Sequence, residues 1–441
     1  MTDWYEESIR LHRLYGGKLE IVPKVPVEGQ EHFAIWYTPG VAGPSRKIAE
    51  DVLESFELTW RWNTIAIVSD GTRVLGLGNV GAEAALPVME GKALLFKLLG
   101  GVDAIPIVHR ARELEQFLWL LKILEPSFGG YNLEDIESPK CFALLERARN
   151  ELDIPIWHDD QQGTATVVLA ALLAATRLTG LKLEHARIVL FGVGAANIAL
   201  YNLLKSYGVN PQNIIAIDSH GVLHPNRKDM TQLKETNPWK HRIAIETMPD
   251  EKTIENAFNG ANILVAASKP GPDVIKKEWV KLMAKPAIVF ALANPVPEIW
   301  PWEAKEAGAQ VVATGRSDLP NQVNNSLVFP SMFRGVLDVR ARAITDGMAI
   351  AAAKEIAAYV EETGLSEDRI VPSMTEWEVY PCVAAAVAEA ASREGIARRP
   401  KSYKEELKFA TEFIGLVREK HKRLAEVLEK KLANNQSGSE G

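Results

Sequence analysis

Two short acidic segments carry the side chains best suited to bind a metal ion. Glu134 and Asp135 stand side by side after a β-type run, and Asp159 and Asp160 stand side by side directly before a helical run. Each pair has an ordinary explanation, because Asp is a preferred helix N-cap and acidic residues are common in surface loops. If the two segments converge in the fold, their oxygens would suit a hard divalent cation such as Mg²⁺ or Mn²⁺. Spacing along the chain does not show that convergence.

A glycine-rich turn at residues 191–197 (FGVGAAN) indicates a dinucleotide site. It follows a β-type run and opens a helical run, so its backbone can approach a pyrophosphate at a helix N-terminus. Asp218 ends the next β-type run, where an acid can bind the hydroxyls of the adenosine ribose. Asn197 stands where glycine or alanine is usual, so the match is imperfect. The residues expected at this NAD or NADP site are Gly192, Gly194, Ala195, Ala196, Asn197 and Asp218.

Tyr37 and Lys92 are side chains that could move protons. Tyr37 lies beside a Pro-Gly turn, and Lys92 follows Gly91 where a leucine-rich helical run begins. Their ordinary explanations are a half-buried packing tyrosine and a solvated lysine. A buried lysine near a helix N-terminus would instead have a lowered pKa, as a general base requires. Spacing alone leaves both possibilities open.

The elements that must position these groups predict an α/β fold. In the first part of the chain, the β-type runs Thr64–Ser69 and Arg73–Leu75 flank Asp70-Gly71, which predicts a β-hairpin. From Ile154 onward, β-type and helical runs alternate, which is typical of a Rossmann-type, doubly wound parallel sheet. The β-type runs of this part lie at residues 187–191, 214–217, 243–245, 263–266, 287–292 and 311–313.

These patterns predict how the chain is divided. We expect an N-terminal α/β catalytic domain over residues 1–155 and a Rossmann-type NAD(P)-binding domain over residues 156–385. A helical C-terminal segment would follow over residues 386–433. The last eight residues, 434–441 (NNQSGSEG), contain no apolar side chain and are expected to form a disordered tail.

Composition limits the class of protein. The chain has 441 residues with 50 Lys plus Arg against 57 Asp plus Glu, and the net charge of −7 argues against a nucleic-acid partner. Cys141 and Cys382 cannot build a disulfide framework or a thiolate metal cage. No signal-peptide pattern opens the sequence, and the longest uncharged apolar run, Val167–Ala175, is too short to cross a bilayer. We therefore expect a cytoplasmic enzyme with no nucleic-acid or membrane partner.

Taken together, the motifs resemble those of the malic enzymes, particularly the shorter bacterial and archaeal type. The resemblance runs in order from about Trp36 to about Pro330, and its second and fourth stretches are long and distinctive. The stretches that carry it are WYTPGVA (36–42), SDGTRVLGLGNVGAEAALPVMEGKALLFK (69–97), LEDI (133–136), HDDQQGTA (158–165), FGVGAAN (191–197), FALANPVPE (290–298) and ATGRSDLPNQVNNSLVFP (313–330).

The resemblance implies roles for individual residues. Tyr37 matches the general acid of the family, Lys92 its general base, and Asp159 an acid beside that base. The implied metal ligands are the carboxylates of Glu134, Asp135 and Asp160. The implied substrate residues are Arg73, which would pair with a malate carboxylate, and Asn294, Asn324 and Asn325. Thr164 is expected at the dinucleotide site together with the glycine-rich turn.

The implied activity is oxidative decarboxylation of L-malate to pyruvate and CO₂, with reduction of NAD or NADP. Lys92 would take the hydroxyl proton while hydride leaves to the nicotinamide, and Tyr37 would protonate C3 of the enol. A divalent cation would stabilise the enolate that loss of CO₂ produces. Asp218 favours NAD because an acid repels a 2′-phosphate, although Ser219, His220 and Arg227 could accommodate NADP. The family resemblance also implies a homodimer.

Three alternatives differ in what they require. A malolactic-type enzyme would convert malate to lactate with tightly held NAD, and would show no net reduction of the nicotinamide. An amino-acid dehydrogenase also sets a catalytic domain before a Rossmann domain, but it needs no metal carboxylates. A non-catalytic dinucleotide sensor would have no reason to keep Tyr37, Lys92 and the carboxylate set.

Overall fold

The computed structural model describes residues 3–437 except Leu75 and Glu251, with side chains described as far as residue 429. The β-strands are β1 (Thr64–Ser69), β2 (Asp103–Val108), β3 (Tyr131–Leu133), β4 (Ile156–His158), β5 (Ile188–Phe191), β6 (Ile214–Asp218), β7 (Gly221–Val222), β8 (Ile263–Ala266), β9 (Ala287–Ala291) and β10 (Ala309–Thr314). The first helices are α1 (Trp4–Tyr15), α2 (Gln30–Trp36), α3 (Ala42–Glu50), α4 (Ser55–Leu58), α5 (Ala82–Gly100), α6 (Leu114–Leu124), α7 (Lys140–Glu151), α8 (Thr164–Thr179) and α9 (Ala195–Tyr207). The later helices are α10 (Met230–Thr236), α11 (Pro238–Thr247), α12 (Ile254–Phe258), α13 (Lys277–Lys281), α14 (Pro301–Glu306), α15 (Phe329–Asp338), α16 (Asp346–Gly364), α17 (Val379–Arg393) and α18 (Tyr403–Ser437).

The first sheet contains four parallel strands in the order β2-β1-β3-β4. All six residues of β1 are buried, as expected for an inner strand that is covered on both faces. The predicted β-hairpin around Asp70-Gly71 is therefore wrong, because both neighbours of β1 run parallel to it. A hairpin would give β1 an antiparallel neighbour, whereas Asp70 and Gly71 begin a loop that leads to α5.

The second sheet has the strand order β10-β9-β8-β5-β6-β7. Counted from β5, this is the 3-2-1-4-5-6 order of a dinucleotide-binding Rossmann fold, so the predicted doubly wound fold is confirmed. Five of the six β-type runs are strands, but residues 243–245 lie in α11. Ile243 and Ala244 are buried while Ile245 is exposed, which is the pattern of a helix with one apolar face. The sixth strand is the short antiparallel β7.

Helices α15 to α18 connect the two sheets. A single apolar core contains residues from β1, β5, α8, α15, α16 and α17, so the C-terminal helices pack against both halves of the chain. Helix α18 continues to Ser437, so the predicted disordered tail is wrong over residues 434–437, while residues 438–441 lie outside the described residues. Within the part of the chain that the structure describes, no helix is long and apolar enough to cross a membrane.

Candidate active site

The carboxyl edge of the first sheet gathers ionisable side chains. Parallel strands place their carboxyl ends at one edge, which is where ligands bind in open α/β sheets. The residues that directly follow β1, β2, β3 and β4 are Asp70, His109, Glu134 and Asp159. Leu133 pairs with His158 in the register of β3 and β4, so the two acidic segments converge.

Three carboxylates of the two acidic segments form a compact set of oxygen ligands. Glu134, Asp135 and Asp160 each offer an oxygen atom, and these atoms lie within 4.8 Å of one another. The backbone N–H of Asp135 donates to Asp160 Oδ2 at 2.8 Å, which ties the two segments together. Asp135 adopts a left-handed backbone with φ 55°, a conformation that aspartate tolerates better than most residues.

Lys92 lies at the centre of the charged groups. Its Nζ donates to Glu134 Oε1 at 2.6 Å and also pairs with Asp159 Oδ2, and its side chain is only 9% exposed. Burial by itself lowers the pKa of Lys92, but the surrounding carboxylates outweigh burial and raise that pKa above its usual value. The expected lowering is wrong for this arrangement. Lys92 also lies in the middle of α5 rather than at its N-terminus, because α5 begins at Ala82.

Three carboxylates, those of Asp159, Glu134 and Asp160, act on this single ammonium group, so the cluster has an excess of negative charge. Burial raises the pKa of Glu134 and of Asp159, and Lys92 opposes the rise in both cases. Burial also raises the pKa of Asp160, with Lys92 and Arg73 opposing it. Hard oxygen donors with uncompensated negative charge in a buried site fit a divalent cation. We call Glu134, Asp135, Asp159, Asp160 and Lys92 the carboxylate cluster.

A π-helical turn at Asp159–Gly163 holds Asp159 against Lys92. Trp157 Nε1 donates to Asp159 Oδ1 at 2.9 Å and fixes the other oxygen of the carboxylate. A Cβ atom on Gly163 would lie 1.9 Å from Asp159 Oδ1, so only glycine leaves room for the carboxylate. Gly163 is the N-cap of α8, so the explanation of these aspartates as N-caps is wrong.

The expected substrate residues approach this edge from both halves of the chain. Arg73 is exposed, and its backbone N–H donates to the carbonyl oxygen of Asp135 at 3.0 Å. A Cβ on Gly76, in the same loop, would lie 3.2 Å from the carbonyl oxygen of Asn294. Asn325 packs beside Gly163, where an added Cβ would lie 3.3 Å from Asn325 Cβ. The neighbouring Asn324 accepts the backbone N–H of Ser326 at 2.9 Å and caps a short 3₁₀ turn.

Tyr37 differs from all these residues. Its side chain is 72% exposed. It is not among the groups whose charge acts on Lys92, which are Asp159, Glu134 and Asp160. It ends α2 in a stretch, residues 3–54, in which no residue is buried. We call this stretch the N-terminal segment. The described contacts of a single chain do not connect Tyr37 to the carboxylate cluster.

The glycine-rich turn has the geometry that a dinucleotide site needs. Gly192 has φ 88°, and a Cβ there would lie 2.5 Å from the carbonyl oxygen of Ala267. Nothing lies within 4 Å of a Cβ on Gly194, so the surface above the turn is open. Asn197, which departs from the usual pattern, is buried and donates to Gly192 O at 2.9 Å and Val265 O at 3.3 Å. It therefore holds the turn against β8. The partly exposed residues Ala195, Ala196 and Thr164 begin α9 and α8.

Asp218 lies at the end of β6, as expected, but it is already paired with cations. Its Oδ1 accepts from Arg227 Nη1 at 2.9 Å, and its Oδ2 lies 3.2 Å from Lys240 Nζ. Burial raises the pKa of Asp218, but the His220 backbone N–H and the two cations lower it below the usual value. The carboxylate is thus ionised and largely neutralised by its neighbours.

Several side chains that support the site were missed in the sequence. Asn132 Nδ2 donates to Glu134 Oε2 at 2.8 Å, and the Phe329 ring lies 4.6 Å from Lys92 Nζ. Glu298 is fully buried and accepts the backbone N–H groups of Ser268 at 2.7 Å and Ala293 at 3.0 Å. The available signal was a polar residue inside an apolar run, as with Asn132 between Tyr131 and Leu133. Phe329 has no such signal.

Comparisons with known proteins agree with this geometry. The family model "Malic enzyme, NAD binding domain" matches residues 161–392, and "Malic enzyme, N-terminal domain" matches residues 16–118. The bifunctional malic/malolactic enzyme of Bacillus subtilis is 46% identical over 395 residues, which cover 89% of this chain and 94% of that enzyme. The NAD-dependent malic enzyme of Geobacillus stearothermophilus is 48% identical over 386 residues, covering 87% and 78%. The crystal structure of Entamoeba histolytica malic enzyme has a TM-score of 0.91 and 40% identity, covering 99% and 94%. The chain belongs to the malic enzyme family.

Proposed function

We propose that the chain catalyses the NAD(P)-linked oxidative decarboxylation of L-malate to pyruvate and CO₂. The observation that carries this proposal is a buried lysine paired with two carboxylates, directly beside a three-carboxylate ligand set. Membership of the malic enzyme family supports the same activity. The alternatives of an amino-acid dehydrogenase and a sensor leave the carboxylate cluster without a purpose.

Lys92 would act as the general base that takes the proton from the C2 hydroxyl of malate. Glu134 and Asp159 hold its amino group at the edge of the sheet. A base must first lose its own proton, and the carboxylates oppose that loss. Because Glu134 and Asp160 also belong to the ligand set, a bound cation would neutralise part of the charge that keeps Lys92 protonated.

The ligand set Glu134, Asp135 and Asp160 would hold Mg²⁺ or Mn²⁺, which supplies Lewis acidity for the enolate, while NAD(P) accepts the hydride. Arg73 would pair with a malate carboxylate, since it is exposed, its backbone N–H donates to Asp135 and its charge acts on Asp160. Asn294 and Asn325, with Asn324 beside them, would orient the substrate from the dinucleotide-binding half. These roles are consistent with a catalytic domain over residues 1–155 and a NAD(P)-binding domain over residues 156–385.

Tyr37 would protonate C3 of the enol in a homodimer. The N-terminal segment exposes Trp4, Tyr5, Phe33, Trp36 and Tyr37 by 50% or more, which favours its burial against a second copy. We propose that each chain supplies its Tyr37 to the site of its partner. A mixture of Lys92→Ala and Tyr37→Phe chains, allowed to exchange subunits, should then regain about one quarter of the wild-type activity. No recovery in demonstrably mixed dimers would contradict the sharing.

The paired state of Asp218 supports the use of both NAD and NADP. An unpaired acid would repel the 2′-phosphate of NADP. Arg227 and Lys240 offset the negative charge of Asp218 and so reduce that repulsion. Lys240→Gln should therefore raise the KM for NADP more than the KM for NAD. An equal change in both would remove Lys240 from the choice of cofactor.

The activity is tested by measuring NAD⁺ and NADP⁺ reduction with L-malate and Mn²⁺, and then with a chelator. Chelator-sensitive reduction with an equal amount of pyruvate is the expected result. The similarity to a bifunctional malic/malolactic enzyme makes lactate a second product to measure. Lactate without net reduction would favour the malolactic reaction, and no product from folded, metal-loaded protein would refute the proposal.

Because Cys141 and Cys382 are free thiols, a cytoplasmic location is proposed as well.

A further inference from the structure

His158 is a fully buried histidine whose ring has no assigned role. It ends β4 directly before the carboxylate cluster, and its side chain is 0% exposed. Neither Nδ1 nor Nε2 has a hydrogen-bond partner among the residues that the structure describes. Buried polar atoms are nearly always paired, so two unpaired nitrogens in one ring require an explanation.

Trp157, the residue before His158, makes a ring N–H to carboxylate hydrogen bond with the residue two positions further along. Trp157 Nε1 donates to Asp159 Oδ1, two residues further along, at 2.9 Å. His158 has the same relation to Asp160, and its Nδ1 lies 3.7 Å from Asp160 Oδ2. Closing that gap to an ordinary N–H···O distance requires a movement of about 0.7 Å. The Trp-His-Asp-Asp sequence thus places each of two rings next to the carboxylate two residues further along.

Asp160 is more exposed than Glu134 and has less side-chain support. Its side chain is 35% exposed, compared with 6% for Glu134. Glu134 receives side-chain hydrogen bonds from Lys92 and from Asn132, whereas the Asp160 carboxylate accepts the backbone N–H of Asp135. Residues that donate to metal-ligating carboxylates orient them and sustain metal affinity.

We propose that His158 is a positioning residue for Asp160: its Nδ1–H donates to Asp160 Oδ2 and leaves Oδ1 for the divalent cation. A neutral ring has one N–H, and the carboxylate beside Nδ1 favours the tautomer that carries it there. The inference rests on the proposed metal site, but it concerns an interaction that acts through a ligand.

The test is the affinity of the full-length protein for Mn²⁺ without substrate, measured by electron paramagnetic resonance of free Mn²⁺. His158→Asn places an amide N–H near the position of Nδ1, whereas His158→Gln places it near Nε2. We expect His158→Asn to keep the wild-type Kd within about 3-fold, and His158→Gln and His158→Leu to weaken it about 10- to 100-fold. If His158→Leu does not fold, the Asn and Gln pair still decides the matter.

His109 provides a matched control, because it follows β2 of the same sheet and its Nε2 is also buried without a partner. His109→Leu should leave the Mn²⁺ affinity unchanged. Wild-type affinity in His158→Leu, or rescue by Gln instead of Asn, would overturn the role of His158 while leaving the metal site intact. Absence of Mn²⁺ binding by the wild-type protein would overturn the metal site itself, so the two failures are distinguishable.

Discussion

The carboxylate cluster and the N-terminal segment differ in how completely one chain builds them. In the cluster, Lys92 and Glu134 are less than 10% exposed, and they pair with each other at 2.6 Å. In the N-terminal segment no residue is buried, and Tyr37 is 72% exposed. The first group lies where α5 meets the carboxyl ends of parallel strands, whereas the second consists of helices that lack an apolar layer to cover them.

This difference separates two parts of the proposed chemistry. The removal of a proton from malate depends on groups that the fold of one chain already brings together. The return of a proton to the product depends on Tyr37, for which assembly with a second chain is proposed. Variants in the two regions should therefore differ in whether another chain can restore activity.

The largest effect is expected from Lys92→Ala. Loss of the general base should lower kcat for malate-dependent reduction by about 10³-fold. Lys97→Ala is the control, because Lys97 lies on the same helix and its side chain is 41% exposed. Near-wild-type turnover in a folded Lys92→Ala protein would remove Lys92 from the mechanism.

A smaller loss is expected from Tyr37→Phe. This change removes the proton donor but keeps the aromatic ring, so it should lower kcat by about 10²-fold without altering dimer assembly. Tyr15→Phe, at another exposed tyrosine of the N-terminal segment, should behave as wild type. If both tyrosine variants retain full activity, the N-terminal segment does not supply the proton donor.

Glu134→Gln tests the ligand set within the cluster. Removing one anionic ligand should raise the Mn²⁺ concentration for half-maximal activity by at least about 10-fold. Glu137→Gln removes the same charge three residues away from a side chain that is 54% exposed, and it should leave the metal requirement unchanged. Identical metal dependence in the two variants would exclude Glu134 as a ligand.

The smallest effect is expected at Glu406, a buried carboxyl group that lies outside the carboxylate cluster and keeps its proton. Burial, together with nearby Asp338, raises the pKa of Glu406 to about 9. The native state therefore binds this proton more tightly than the unfolded state, and stability is lost as pH rises from about 4.5 to about 9. Glu406→Gln should gain about 2 °C or more in Tm relative to wild type between pH 5 and pH 8. The neighbouring Glu405→Gln should show no such gain, and equal pH profiles would contradict the raised pKa.

Much of the architecture could be predicted from local patterns. Apolar runs predicted β5, β6, β8, β9 and β10, and the glycine-rich turn predicted where the Rossmann sheet begins. The run at 243–245 failed because three apolar or small residues cannot distinguish a strand from a buried helix face. The β-hairpin failed because Asp-Gly specifies a turn without specifying which strand pairs with which.

The α/β class, the dinucleotide turn and the two acidic segments could all be recognised from local sequence patterns. The meeting of Glu134, Asp159 and Lys92 could not be recognised in this way, because the order β2-β1-β3-β4 depends on long-range packing. The direction of the Lys92 pKa shift also depends on the folded chain, since it is set by the distances to neighbouring carboxylates and by burial. The exposure of Tyr37 likewise follows from which helices find an apolar surface within one chain.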